Sequence, residues 1–264
     1  MEIIKYCIRH MSSKEIIHLL FDKHNIIYRN SDSYEKLSER LTTKDYERIN
    51  QTVITEYYRE KWKPTASKLH LENLKSGLLF GHNWHGAMPS MLHLSLQNKV
   101  RDHIDGKITL EELISIGADI MKHEYFMVAA HDLCETKIIE TFPNTIPPVG
   151  SKSISDFIFD GIPYDLKITN YFGGQTREYV SQNKQSVAEE LLAGADVQRI
   201  REQAKKTINN WGLNRFYFLV EDQDRWITDP EGVLTELIYE VKKLRDPFVV
   251  KIDGIEIKVQ LIAI

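Results

Sequence analysis

Apolar and polar positions follow different patterns in the two parts of the chain. Up to about residue 142 the apolar positions recur at helical spacing, with capping residues and prolines at the ends of the segments. These signals predict helices that begin at the capping box Ser12–Glu15, after Thr42 or Thr43 (running towards Trp62), over 90–100, and over 108–142 as two helices broken near Gly117.

After Phe142 short apolar runs alternate with helical stretches. They predict strands at about 153–159, 162–171, 215–221, 247–252 and 255–263, and helices at 185–209 (with Gly194 as a break point) and 231–244. Strands separated by helices indicate an α/β core. We therefore predict a mainly helical N-terminal region, 1–115, and an α/β core, 116–264, to which the helix from about 118 to 142 belongs.

Composition narrows the class of protein. The 264 residues are 42% hydrophobic and 27% charged, as in ordinary globular proteins, and no apolar run approaches the ~18 residues of a membrane span. We see no signal peptide, and Cys7 and Cys134 are too few for a disulfide framework, so we expect a cytoplasmic protein without a membrane partner. The net charge of −4 argues against a protein that coats nucleic acid. No glycine-rich phosphate loop indicates a nucleotide cofactor.

One hairpin carries the candidate chemistry. Asp160-Gly161 lies between two alternating runs and predicts a two-residue turn, which fixes the register of the flanking strands. The implied pairs, from the turn outwards, are Phe159–Ile162, Ile158–Pro163, Phe157–Tyr164, Asp156–Asp165, Ser155–Leu166 and Ile154–Lys167. Asp156, Asp165 and Lys167 then share one face, while the other face is apolar apart from Ser155 and the Tyr164 hydroxyl.

Two carboxylates at opposed positions repel one another. Their Cβ atoms would lie roughly 4.5–5.5 Å apart, and a bound cation is one way to compensate. Mg²⁺, with Mn²⁺ as a substitute, prefers such oxygen ligands, and the Leu166 carbonyl is a further candidate ligand. Lys167 can orient a water or stabilise charge on a phosphate. The alternative is a solvated face that carries a Lys–Asp pair; Asp160 lies in the turn for backbone reasons.

Asp156, a hairpin and then Asp165-Leu166-Lys167 resemble the PD-(D/E)xK nuclease superfamily, which includes most type II restriction endonucleases. The resemblance covers about residues 118–222, and Ile154-Ser155 stand where the motif has its proline. It implies a restriction-endonuclease-like core in the order αβββαβ and a metal-dependent nuclease. It also implies a further acid on the preceding helix, for which Glu135 is favoured over Glu124 and Glu140 as a metal or water ligand.

Other segments give weaker expectations. Four basic residues on the predicted helix after the hairpin are candidate phosphate contacts, although a solvated face explains them as well: Arg199, Arg201, Lys205 and Lys206. Gln203 is a weaker candidate. His82 and His85 could indicate a metal site, but no cysteine pair is near. A packed loop around Trp84 is the preferred interpretation. Residues 255–263 either complete the sheet or contribute to a homodimer.

We therefore expect a Mg²⁺-dependent endodeoxyribonuclease that hydrolyses double-stranded DNA, of the type II restriction kind, acting as a homodimer. Its N-terminal region would supply DNA contacts or dimerisation, by analogy with the superfamily. Two alternatives remain. One is a nuclease of the same fold in repair or acting on RNA as a toxin; the other is a non-catalytic nucleic-acid-binding protein.

Overall fold

A computed structural model describes residues 51–62, 88–148, 155–170, 175–194, 213–222 and 225–264, together with Cys7 and Ile200. The helices in these ranges are α1 (Gln51–Lys61), α2 (Met88–Ile104), α3 (Leu110–Thr141), α4 (Arg177–Gln182), α5 (Lys184–Ala193), α6 (Arg225–Thr228) and α7 (Pro230–Val241). The strands are β1 (Phe157–Phe159), β2 (Ile162–Asn170), β3 (Arg215–Val220), β4 (Phe248–Ile252) and β5 (Ile255–Ala263). The helix predicted from Ser12 and the start of the next lie outside the described residues.

The prediction of a break near Gly117 is wrong, because α3 runs without interruption through this position. Thr109 begins the helix with a capping box that Glu112 completes. A Cβ on Gly117 would lie 3.3 Å from Cδ2 of Leu96, so this glycine allows α2 and α3 to pack closely. The boundary drawn between residues 115 and 116 falls within this continuous helix, and the division into two regions stays a prediction.

The protein is α/β, with a mixed five-stranded sheet flanked by helices. The strand order is β1-β2-β3-β5-β4. β2, β3 and β5 run parallel, and β1 and β4 are the antiparallel outer strands. Because β5 is paired on both sides, residues 255–263 complete the sheet, and a contribution of this segment to a homodimer stays a prediction.

Helices cover both faces of the sheet. α3 and α7 pack on one face, against Phe157, Tyr164 and Leu166 of the hairpin and against alternate residues of β3. α4 and α5 contribute to a second core on the other face, which includes Tyr217 and Leu219. β3 is therefore buried along its whole length, as expected for a central parallel strand.

Some elements differ from the sequence prediction for local reasons. α4, six residues long with Thr176 as its N-cap, and the four-residue α6 were not predicted, since such short helices show no clear periodicity. In the segment predicted as a helix at 185–209, α5 ends at Ala193 with Gly194 as its C-cap, which is the predicted break point. The helix predicted at 231–244 begins one residue earlier, at Pro230, and ends at Val241.

α1 docks on the end of α3. Nη1 of Arg59 lies 2.5 Å from the Ile139 carbonyl and 3.3 Å from the Phe142 carbonyl, where the last turn of α3 leaves acceptors unsatisfied. Trp62 packs against the core that α3 forms with the sheet. The segment 51–62 is therefore attached to the α/β core by a charged cap and an apolar contact.

Membrane-spanning helices require a long and strongly apolar segment. None of the helices in the described ranges has this combination.

Candidate active site

The hairpin has the register that the sequence predicts. Phe159 pairs with Ile162, Ile158 with Pro163 and Phe157 with Tyr164. Asp160 and Gly161 have φ angles of 48° and 75°, the two positive values that a type I′ turn requires. The turn thus sends Asp165 and Lys167 to the face of β2 opposite to Leu166.

The sequence predicted a strand from about residue 153 that includes Asp156. In the structure Asp156 lies just before β1, which begins at Phe157. Its carboxylate Oδ2 accepts a hydrogen bond of 2.6 Å from the Leu166 N–H, and its own N–H donates to the Tyr164 carbonyl at 2.8 Å. The side chain thus takes the place of a β1 residue beside β2. Residue 154, the predicted partner of Lys167, lies outside the described residues.

Asp165 is a largely buried carboxylate, 7% exposed. Nζ of Lys167 donates to Oδ1 at 2.8 Å, and Nη1 of Arg215 lies 3.3 Å from Oδ2. Burial raises the pKa of Asp165, and the charges of Lys167 and Arg215 oppose this rise without cancelling it. At this position the hairpin face is not the solvated surface that the alternative reading of the sequence expects.

His131 on α3 joins the site, although the sequence did not indicate it. Its Nε2 lies 3.3 Å from Oδ2 of Asp156, and its Nδ1 lies 3.9 Å from Oε2 of Glu135. Burial opposes a charged ring, but the hydrogen bond to Asp156 and the nearby carboxylates outweigh it and raise the pKa of His131 to about 9. Despite burial, the same contact, with help from the Leu166 N–H, lowers the pKa of Asp156.

Glu135 lies on α3, four residues after His131. Burial, opposed by the charge of His131 and assisted by that of Asp156, raises its pKa to about 8. Glu140 is exposed, and only the backbone is described at Glu124. Among the three acids considered, Glu135 is therefore the one that the described structure places beside the hairpin carboxylates, through His131.

Arg215 is the second residue that sequence reasoning missed. It opposes Asp165 in the parallel β2–β3 register and is 0% exposed. A basic residue at the start of an apolar strand, Arg215-Phe-Tyr-Phe-Leu-Val, was the available signal, because arginine is seldom fully buried without a partner.

The two hairpin carboxylates already have cationic partners from the chain. Lys167 and Arg215 contact Asp165, and His131 contacts Asp156. The compensation that the sequence argument expected therefore comes at least in part from side chains of the protein, and the bound cation stays a prediction.

The oxygen atoms present nevertheless suit Mg²⁺. Oδ2 of Asp165 is buried and accepts no hydrogen bond from the described residues. The Leu166 N–H points to Asp156, so the Leu166 carbonyl leaves β2 on that same side. Separately, Nδ1 of His131 and the carboxylates of Asp132 and Glu135 offer ligand atoms within 4.8 Å of one another.

The remaining candidate residues lie outside the described residues. These are the basic residues Arg199, Arg201, Lys205 and Lys206, and also Gln203, His82 and His85. Their proposed roles stay predictions. Cys7 and Cys134 are buried free thiols, and burial raises the pKa of both, so neither has the thiolate character of a nucleophile.

Comparisons of the chain with protein-family models, with curated proteins and with solved structures found no significant match.

Proposed function

We propose that the protein is a Mg²⁺-dependent endonuclease that hydrolyses phosphodiester bonds in double-stranded DNA, with a restriction-endonuclease-like core. The observation that carries this proposal is the buried Asp165, which lies beside Lys167 and Asp156 at the open end of a hairpin whose register brings them together. The resemblance of Asp156 and Asp165-Leu166-Lys167 to the PD-(D/E)xK pattern supports it.

In this proposal Asp156, Asp165 and the Leu166 carbonyl hold Mg²⁺, for which Mn²⁺ can substitute. The metal, when bound, would polarise the scissile phosphate and lower the pKa of an attacking water. Lys167, whose side chain is 26% exposed, reaches solvent from beside Asp165. Its ammonium group can therefore orient that water and stabilise negative charge that develops on the phosphate oxygens.

His131 and Glu135 act at the margin of the site. His131 contacts Oδ2 of Asp156, which also accepts the hydrogen bond from the Leu166 N–H, so that Asp156 is held by two groups. Oε2 of Glu135 lies 3.9 Å from Nδ1 of His131, the residue that contacts Asp156. We therefore propose that Glu135 positions His131 and orders water, and we prefer these roles to direct metal binding.

The choice of DNA and of the type II restriction class, with a homodimer to cut both strands, rests on the resemblance and on the basic residues between 199 and 206. A dimer places two such sites on one duplex. The N-terminal region would then serve DNA contact or dimerisation.

The test is cleavage of long, unmethylated DNA of mixed sequence with Mg²⁺, with Mn²⁺ and with EDTA. Asp165→Asn and Lys167→Met should each lower the cleavage rate by at least about a hundredfold. The matched controls are Asp160→Asn, in the turn of the same hairpin, and Lys251→Met, an exposed lysine paired with Glu256 on the far edge of the sheet. Both controls should cleave at the wild-type rate.

The products separate the proposal from its alternatives. Discrete fragments that require Mg²⁺ and vanish in Asp165→Asn support a site-specific enzyme. A smear supports a nuclease but contradicts the restriction class, and cleavage of RNA alone contradicts the DNA substrate. Absence of cleavage on unmethylated DNA, methylated DNA and RNA would favour the non-catalytic nucleic-acid-binding reading.

A further inference from the structure

Arg215 has an unusual position for an arginine. It begins the central strand β3, is 0% exposed and lies directly across from Asp165 in the parallel register. A guanidinium group keeps its charge in any protein environment, so burial here places a permanent positive charge against a carboxylate that water scarcely reaches. A substrate cannot touch such a group, and any role in the chemistry must be exerted through its neighbours.

The guanidinium is held in place by the backbone. Nη1 donates to the Leu213 carbonyl at 3.0 Å and to the Asn214 carbonyl at 3.4 Å, while it lies 3.3 Å from Oδ2 of Asp165. These carbonyls belong to the residues just before β3. The position of the charge is therefore fixed by the main chain, and not by a flexible surface side chain.

Asn214, the residue just before Arg215, is hydrogen-bonded to the strands on both sides of β3. Its side chain donates to the Pro163 carbonyl of β2 at 3.0 Å and accepts from the Lys258 N–H of β5 at 3.0 Å. Its carbonyl also accepts the Asp165 N–H at 3.0 Å. Asn214 and Arg215 thus hold both the backbone and the side chain of Asp165.

We propose that Arg215 is a positioning residue, which fixes Oδ2 of Asp165 in one orientation so that the carboxylate is preorganised for the divalent cation. This inference rests on the proposed function, because it assigns Asp165 as a cation ligand. Lys167 holds the other oxygen but is partly exposed and attached through a flexible stem. Arg215, which is fully buried and bound to backbone carbonyls, supplies the contact to Oδ2.

Two readouts test the proposal on the full chain. The first is the χ1 rotamer of Asp165, measured from three-bond NMR couplings without metal. The second is the affinity for Mn²⁺, measured from the paramagnetic resonance signal of the free ion. The variants are Arg215→Gln, Arg215→Lys and the matched control Arg59→Gln, whose guanidinium also contacts backbone carbonyls but lies at the end of α3.

Wild type should show one χ1 rotamer. In Arg215→Gln the couplings should average and Mn²⁺ affinity should fall about tenfold or more, the effect of losing a group that orients a ligand. Arg215→Lys keeps the charge without the planar fork, so it should show partial averaging and a loss of about threefold. Arg59→Gln should leave both readouts unchanged, although it lowers stability.

Wild-type couplings and wild-type Mn²⁺ affinity in a folded Arg215 variant would overturn the proposal, as would averaged couplings in the wild type. If Arg215→Gln does not fold, the comparison of Arg215→Lys with wild type decides by the same criteria. Failure of the proposed function is a different result: wild type then binds no Mn²⁺ and cleaves nothing, while the couplings still report whether Arg215 fixes Asp165.

Discussion

The contact between His131 and Asp156 should make the stability of the protein depend on pH. The folded protein raises the pKa of His131 from its usual 6.5 to about 9. A proton held more tightly in the folded state stabilises that state wherever the unfolded chain would have released it. This contribution is therefore fully present below about pH 6.5 and is lost as the pH rises through about 9.

The size of the effect follows from the two pKa values. Their separation, at roughly 1.36 kcal/mol per pH unit, corresponds to about 3 kcal/mol as an upper bound. The His131 side chain is 30% exposed, so water screens part of the interaction with Asp156. We expect His131 to account for about 1–2 kcal/mol of stability that is lost between about pH 6.5 and pH 9.

The assay is chemical denaturation of wild type, His131→Gln and Asp156→Asn at several pH values from about 6 to about 9. Wild type should lose about 1–2 kcal/mol more than either variant over this interval. The contribution of Glu135, whose pKa is raised to about 8, is also lost as the pH rises through about 8, but His131→Gln and Asp156→Asn both retain this glutamate. The excess loss of wild type over the two variants is therefore the part that identifies His131.

Two results would refute the reasoning. A slope in His131→Gln equal to that of wild type would assign the pH dependence to Glu135 alone. If Asp156→Asn loses as much stability with rising pH as wild type does, the ion pair between His131 and Asp156 is not the source of the pH dependence.

Three further predictions concern stability, each measured by chemical denaturation. Gly117→Ala should be neutral or stabilising by up to about 1 kcal/mol, because the gain in helix propensity exceeds a shift of a few tenths of an ångström in the Leu96 methyl group; marked destabilisation would contradict this. Gly161→Ala should cost about 1–2 kcal/mol, because the turn needs φ of 75°, and an unchanged midpoint would argue against the type I′ turn. Arg59→Gln should cost about 1–3 kcal/mol through the lost cap of α3, and no loss would show that α1 docks by other contacts.

The hairpin could be predicted because its geometry is local. Asp160-Gly161 selects a two-residue turn, and that turn fixes every pair beyond it, including which residues share the face of Asp165. The prediction failed only where the ladder ends, because the Asp156 carboxylate binds the Leu166 N–H and replaces strand pairing there. No propensity scale records such a contact.

The residues that the sequence did not reveal reach the site through tertiary structure. His131 depends on how α3 lies across the sheet, and Arg215 depends on a parallel pairing between strands separated by about fifty residues. Distance along the chain does not indicate these contacts in advance, although a basic residue at the start of an apolar strand was a signal that Arg215 has a partner. Gly117 shows the same limit for a helix: the ~1 kcal/mol cost of glycine predicted a break, but close packing of α2 on α3 outweighs it.

The closeness of Asp156 and Asp165 has a different meaning once these residues are known. From the sequence, a bound cation was one way to compensate two opposed carboxylates; in the structure, His131, Lys167 and Arg215 provide positive charge beside them. The repulsion between the two carboxylates then no longer argues for a metal ion, and the proposal of a metal depends instead on Oδ2 of Asp165. Oδ2 of Asp165 is buried, faces the charge of Arg215 and accepts no hydrogen bond from the described residues. This oxygen has an ion-pair partner but no hydrogen-bond donor among the described residues, so it can still accept a ligand, and Asp165 is the residue on which to test metal binding first.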